Sequence, residues 1–224
     1  MYTLFTCPRA FKNPEVERMQ RMALESWLLL EPRPQIIIFS DHPSTERIAQ
    51  EYGVEATPCL AFSPYGAPLL SFLFQRAQEL ARFETLVYVN ADIMISSNLY
   101  DALLQVQRRW KKYLLVSAPH VVDHLRFSIR SGYEEKATKY IISPPLPFTA
   151  DLFAYPKGIL VQVPPFRLGR GSWDSWLLSY PLLKGIPVID ATSYVQLFHP
   201  NDRSSTHHLQ SDFNSRITHN YQKV

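Results

Sequence analysis

Thr85-Leu86-Val87-Tyr88-Val89 is an unbroken apolar run without polar alternation, and it stops abruptly at Asn90-Ala91-Asp92. A strand that is apolar on both sides must be covered on both faces, as in a parallel sheet sandwiched between helices. In open sheets of that kind, ligands collect outside the carboxyl ends of the strands. Asp92 stands at such an end, so one short segment constrains both the fold and the place to look for a site. Taken alone the acid has a simpler explanation, because strand-end aspartates also cap turns and the helices that follow.

The remaining chain repeats the pattern. Tyr2 to Thr6 reads as a first strand, and Asn13 caps a helix with Pro14 and Glu15 in its first turn that runs to about Leu30. Val16, Met19, Met22, Ala23, Trp27 and Leu30 form its core-facing stripe. Pro32 and Pro34 end it, and Gln35 to Ser40 forms a second buried strand stopping at Asp41. A short helix from Ser44 to Tyr52 halts at Gly53, Val54 to Ala56 reads as an edge strand, and helical periodicity resumes over Leu69 to Phe83. Asn98 opens a helix with Leu99, Leu103, Val106 and Trp110 on one face, and Tyr113 to Val116 forms the next strand.

Beyond Ser117 the periodicity breaks. A long segment with His120, Asp123 and His124 leads into Ser143-Pro144-Pro145-Leu146-Pro147 and reads as irregular. Together with the tail beyond Pro200 it is the candidate for closing over ligands. Asp151 to Tyr155 returns to strand character, Ser172 opens a helix through Leu183, and Val188 to Ile189 and Val195 to Phe198 read as late strands. Alternating strands and helices predict an α/β chain with a single Rossmann-like domain, in which a mostly parallel central sheet carries helices on both faces.

Composition narrows the function classes. A chain of 224 residues with 46% apolar content can bury a core of its own and favours one domain over two. The net charge of +3 is spread out, without the lysine and arginine clusters that a phosphate backbone demands, so nucleic acid is not expected as a partner. Cys7 and Cys59 have no paired spacing and imply neither a disulfide framework nor a zinc site, which points to a reducing, cytoplasmic setting. No secretion signal is visible, and apolar stretches such as Trp27 to Leu30 and Ile36 to Phe39 fall far below the roughly 18 residues of a transmembrane span.

Four features then stand together: Asp41 at one strand end, Asn90-Ala91-Asp92 at another, Gly169-Arg170-Gly171-Ser172-Trp173-Asp174, and His199 after a late strand. In this combination the chain resembles a GT-A type glycosyltransferase over nearly its full length. It is most similar to small bacterial, plant and algal-virus proteins that carry NADI and GRGxWDxWL segments. The resemblance implies a nucleotide-sugar and metal half over about residues 1–116 and an acceptor-binding, catalytic half over about 117–224.

It also assigns roles. Asp92 is the implied ligand of a divalent ion that bridges a diphosphate, with His199 as a second ligand that tilts the choice toward Mn²⁺ over Mg²⁺. Asn90 stands where such enzymes usually carry the first acid of an Asp-x-Asp motif. An amide there can bond a ribose or a metal-bound water but brings no charge, so weaker metal binding is expected. Thr6, Pro8 and Arg9 in the loop after the first strand, Asp41, Ala91, and Arg76 in preference to Arg82 are the implied nucleotide contacts. Asp174 is the implied catalytic base of an inverting transfer, although a carboxylate in the first turn of a helix also stabilises the dipole without catalysing anything. Gly171 and Trp173 (or Trp176) offer close backbone approach and an apolar platform to a sugar, and Asp151 either contacts a sugar or caps a turn.

The implied activity moves a hexose or deoxyhexose from a nucleoside-diphosphate sugar, UDP before GDP, to a hydroxyl of a glycan, glycoprotein or glycolipid. The alternative is a non-catalytic nucleotide- or sugar-binding protein of the same fold, for which Asn90 is the best argument. Nucleotidyltransferases are disfavoured because Thr3 to Phe11 lacks the glycine-rich loop that cradles a triphosphate.

Overall fold

The structure is a computed structural model that describes residues 1–146 and 149–201. Its strands are β1 (Thr3–Thr6), β2 (Gln35–Phe39), β3 (Glu55–Thr57), β4 (Thr85–Val89), β5 (Met94–Ile95), β6 (Leu114–Ser117), β7 (Pro119–Val122), β8 (Ile141–Ser143), β9 (Leu152–Pro156), β10 (Val188–Asp190) and β11 (Leu197–Pro200). The helices are α1 (Pro14–Leu28), α2 (Pro43–Tyr52), α3 (Leu70–Leu80), α4 (Leu99–Arg109), α5 (Tyr133–Lys139) and α6 (Trp173–Leu183).

Seven strands form the central sheet in the order β10-β6-β9-β4-β1-β2-β3. All its pairings are parallel except those of β9, which runs antiparallel between β4 and β6. The apolar strands are buried from end to end, as their lack of alternation requires. Successive residues serve opposite faces. Leu4, Val87 and Val89 pack with Trp27 of α1, Ile48 of α2 and Leu103 of α4, whereas Phe5, Leu86 and Tyr88 pack with Phe74 of α3 and Trp176 of α6. Helices therefore cover both faces, as expected.

The expected irregular segment after Ser117 is largely structured. β7 and β8 join β5 and β11 in a second, four-stranded sheet of order β5-β11-β7-β8, and α5 packs against it through Tyr133 and Ala137. β5, β7 and β8 escape a sequence reading because they are two to four residues long and one begins at Pro119, whereas β11 overlaps the late strand read over Val195 to Phe198. The second sheet has a positional consequence. β11 pairs antiparallel with β5 so that Phe198 lies opposite Met94, which brings His199 back beside the turn that follows β4. The expectations for Pro147 and for the tail beyond Pro200 lie, apart from Asn201, outside the described residues. Among the described residues no helix is long and apolar enough to cross a membrane.

Candidate active site

A cavity of about 600 Å³ opens at the carboxyl ends of β1 and β4. Cys7, Pro8 and Arg9 reach it from the loop after β1, and Tyr88, Asn90, Ala91 and Asp92 from β4 and its turn. Gln20 of α1, Pro68, the run from Leu168 to Gly171, Trp173, Asp174 and His199 complete the lining. The turn after β4 is anchored from below. Ile93 N–H donates to the Asn90 carbonyl at 3.2 Å, Trp27 Nε1 donates to the Ile93 carbonyl at 2.9 Å, and Ile95 N–H donates to Ser26 Oγ at 3.2 Å. Helix α1 thus holds Asp92 through the main chain beside it.

Each Asp92 oxygen faces a different nitrogen: Oδ1 lies 3.8 Å from His199 Nε2 and Oδ2 lies 3.8 Å from an Arg9 guanidinium nitrogen. Donor atoms each about 2.1 Å from one ion can be at most about 4.2 Å apart, so Asp92 Oδ1 and His199 Nε2 can share a divalent cation. A carboxylate with an imidazole suits Mn²⁺. Among the described residues no cluster of three or more His, Cys, Asp or Glu side chains completes a cage. An ion there would take the rest of its shell from water and from phosphate oxygens.

Asn90 is held from both sides of its amide. Tyr88 Oη donates to Asn90 Oδ1 at 3.1 Å, and Asn90 Nδ2 donates to Asp151 Oδ1 at 2.8 Å, while the Asn90 N–H also reaches the Asp151 carbonyl at 3.1 Å. The Asp151 carboxylate therefore sits behind the residue that lacks the motif's first negative charge. Burial pushes the Asp151 carboxyl up to about 6, the Asp92 and Asp174 carboxylates push the same way, and His199 and the Asn90 hydrogen bond oppose them.

This shift has a sign. A carboxyl raised in the folded state binds its proton more tightly there than in the unfolded chain, so stability falls as pH rises from about 4 through about 6. The full shift corresponds to at most about 3 kcal/mol, an upper limit because the side chain keeps some contact with solvent. Asp151→Asn is expected to raise the melting temperature by several degrees at pH 7.5, with the gain vanishing near pH 4. Melting curves of both proteins across that range check it, and a gain independent of pH would refute the buried-charge account.

The Gly169 to Asp174 segment is fixed over the cavity by its neighbours. Leu168 N–H donates to the Pro68 carbonyl at 2.9 Å and Leu70 N–H to the Phe166 carbonyl at 2.9 Å, so the loop before α3 and the loop before α6 are zipped together. Gly169 and Ser172 both have left-handed backbone, with φ of 75° and 77°. For serine this is a costly conformation of the kind that clusters at functional sites. Trp173 is almost wholly buried, its ring edge-on to Tyr88 at 5.6 Å and tilted against Phe153 at 5.7 Å. It borders the cavity while pinning α6 to the sheet, and Asp174 follows in the first turn. Trp176 packs instead on Phe166 and Tyr180.

Of the residues singled out in the sequence, Pro8, Arg9, Asn90, Ala91, Asp92, Gly171, Trp173, Asp174 and His199 meet in this cavity. Thr6 lies beneath it, donating from Oγ1 to the Val89 carbonyl at 2.7 Å. Asp41 follows β2 and is exposed, close enough to Cys7 and Cys59 that its charge helps push the Cys7 thiol up, after the facing Cys59 thiol and burial. Arg76 is on the surface of α3, paired with Glu79 at 2.7 Å, and Arg82 is paired with Glu55 beside Gln35, at the opposite end of the sheet. Asp151 lies behind Asn90. Cys7, Gly169 and Arg170 lie in segments that the sequence singled out, whereas sequence reasoning passed over Gln20, Pro68, Tyr88 and Leu168 as site residues. Gln20 did leave a signal, as a polar side chain among the buried positions of α1.

No known family model matches the chain, and neither does any curated protein. Among solved structures, S. aureus TarS 1–349 matches with a TM-score of 0.57 at 15% identity, covering 88% of this chain and 60% of TarS. TarS in complex with UDP-GlcNAc matches with a TM-score of 0.59 at 12% identity over 96% of this chain and 64% of TarS. The mannosyltransferase PcManGT from Pyrobaculum calidifontis, in complex with GDP-Man and Mn²⁺, matches with a TM-score of 0.58 at 11% identity over 92% and 58%. A provisionally named nucleotide-diphospho-sugar transferase from Desulfovibrio desulfuricans G20 matches at 0.54 and 10% identity, over 98% of this chain and 97% of that one. The chain spans about three fifths of the length of the TarS and mannosyltransferase chains. The architecture that it shares with them is the GT-A fold of nucleotide-sugar glycosyltransferases.

Proposed function

We propose that the protein transfers a hexose or deoxyhexose from a nucleoside-diphosphate sugar, UDP first and GDP next, to a hydroxyl of a glycan, glycoprotein or glycolipid. The observation that carries this reading is Asp92 paired with His199 at the edge of a cavity that also holds Asp174 and Arg9, within a GT-A fold. TarS with UDP-GlcNAc and PcManGT with GDP-Man and Mn²⁺ support a nucleotide-sugar donor.

Asp92 and His199 would hold Mn²⁺ or Mg²⁺, and a bound ion there offsets the negative charge that grows on the departing diphosphate. The Arg9 guanidinium adds a fork-shaped donor for phosphate oxygens. Asp174 accepts the proton of the acceptor hydroxyl as its oxygen bonds to the anomeric carbon and the bond to the diphosphate breaks, with inversion. Trp173, Pro68 and Leu168 give the cavity its apolar side. One domain carries both roles, with the donor held mainly by residues 1–116 and the catalytic base by the part that follows.

A thermal-shift and donor-hydrolysis screen of UDP-, GDP-, dTDP- and CMP-sugars, with and without Mn²⁺, tests this. Stabilisation that needs both Mn²⁺ and one nucleotide is the expected result, amounting to about 2.7 kcal/mol at a hundredfold excess over Kd. No response to any donor removes the proposal. The second reading, a binder without turnover, draws on Asn90, whose amide is occupied by Tyr88 and Asp151 and carries no charge. Nucleotide binding that ignores Mn²⁺ and yields no hydrolysis would select it.

A further inference from the structure

Asn90 and Asp151 meet because β9 runs antiparallel to β4. Leu152 pairs with Val89, so the residue before β9 falls beside the residue after β4. Main-chain bonds fix both, since Asn90 N–H donates to the Asp151 carbonyl and Asp151 N–H donates to the Ser117 carbonyl, each at 3.1 Å. Between the side chains, Asn90 Nδ2 donates to Asp151 Oδ1 at 2.8 Å. Asn90 lines the cavity beside Asp92, and Asp151 does not.

The hydrogen bond alone does not call for an acid. An amide in place of the carboxylate would accept it through its oxygen, without a buried charge that lowers stability at neutral pH. What the carboxylate adds is negative charge, and His199, Asp92 and Asp174 all lie within electrostatic reach of it. It also polarises the amide that donates to it, which makes Asn90 Oδ1 a stronger acceptor. Tyr88 Oη uses one lone pair of that oxygen, which has two.

We propose that Asp151 supplies, from behind, the negative charge that Asn90 leaves out of the strand-end motif, so that the two side chains act as one anionic unit toward a divalent cation held by Asp92 and His199. Asp151 is then a positioning residue, acting through Asn90 and through its field without touching the ion. The charge of the first acid has been moved and not lost, and the weak metal binding that a neutral amide implies on its own does not follow. The inference rests on the donor-site reading above.

Moving the charge tests it. Asp151→Asn removes the charge. The exchange variant Asn90→Asp/Asp151→Asn returns it to position 90 and keeps both side-chain bonds, one of them reversed, because the carboxylate then accepts from Tyr88 Oη and from the amide at position 151. Isothermal titration with MnCl₂ at pH 7.5, with and without saturating UDP, compares the two with the wild type, and thermal melting checks folding. Asp151→Asn is expected to weaken Mn²⁺ binding by about three- to tenfold while melting no lower than the wild type, a loss of affinity that saturating Mn²⁺ conceals from kcat. The exchange variant is expected to regain the wild-type affinity or exceed it. Mn²⁺ binding by folded Asp151→Asn as tight as the wild type's overturns the proposal, as does a folded exchange variant that binds no tighter than Asp151→Asn, or the absence of Mn²⁺ binding in every form. Failure of the donor reading is distinct, because UDP would then stabilise no form with or without Mn²⁺ while the nucleotide-free titrations still report on the charge.

Discussion

Asp92→Ala is expected to lower metal-stimulated turnover of the donor by about 10²- to 10³-fold, the usual scale for removing one group that stabilises developing charge. The fold should survive. Among the described residues the Asp92 carboxylate faces the Arg9 guanidinium and the His199 imidazole, each at 3.8 Å on a partly exposed side chain and each worth no more than about 1 kcal/mol. The turn itself is held by main-chain bonds at Ile93 and Ile95 that alanine retains. Arg9 and His199 lose their common anion, so the variant should also forfeit the stabilisation that Mn²⁺ and nucleotide confer together. Initial rates at saturating donor, with and without Mn²⁺, combined with melting curves, separate the outcomes. Unchanged activity in a folded protein would sink the metal-site reading.

How much of this was legible in the sequence depends on the range of the forces involved. Local signals were sufficient for α1. Asn13 Oδ1 accepts from the N–H groups of Glu15 and Val16 at 2.9 and 3.3 Å, as its position before Pro14 predicts. Gly53 ends α2 in the left-handed conformation for which glycine is suited. The runs of β1, β2 and β4 identify themselves because strands buried on both faces tolerate few polar residues. Strand order is different, since nothing within Leu152–Pro156 says that it will lie between β4 and β6, and only long-range pairing decides that. The pairing of β11 with β5 and β7 into a second sheet is invisible for the same reason.

The site divides along the same line. Asp92 and Asp174 announce themselves through the local elements that end or begin at them. His199 was placed at the end of a strand, and the structure sets it within β11, but its approach to Asp92 comes from the pairing of β11 with β5. Gln20 and Asp151 do their work by hydrogen-bonding residues 11 and 61 positions away in the chain, Arg9 and Asn90. No periodicity encodes such partners.

Asp174 is where the catalytic and the structural explanations predict different numbers. A carboxylate in the first turn of α6 favours the helix dipole by about 0.3–1 kcal/mol. If that were its whole role, Asp174→Asn would lose no more than this in stability and nothing in rate. As the base it must take a proton from the acceptor hydroxyl, and its loss should reduce kcat by about 10²- to 10⁴-fold while the Kd for donor stays within a few-fold. Asp151 is the rival carboxylate, but its Oδ1 accepts from Asn90 and it is not among the residues lining the cavity, so Asp151→Asn should keep kcat within a few-fold of the wild type. Single-turnover rates across pH for the two variants, with the anomeric configuration of the product determined by NMR, decide between them. A retained anomer, or a folded Asp174→Asn protein with wild-type kcat, would leave Asp174 as a helix residue and require the acceptor proton to go elsewhere.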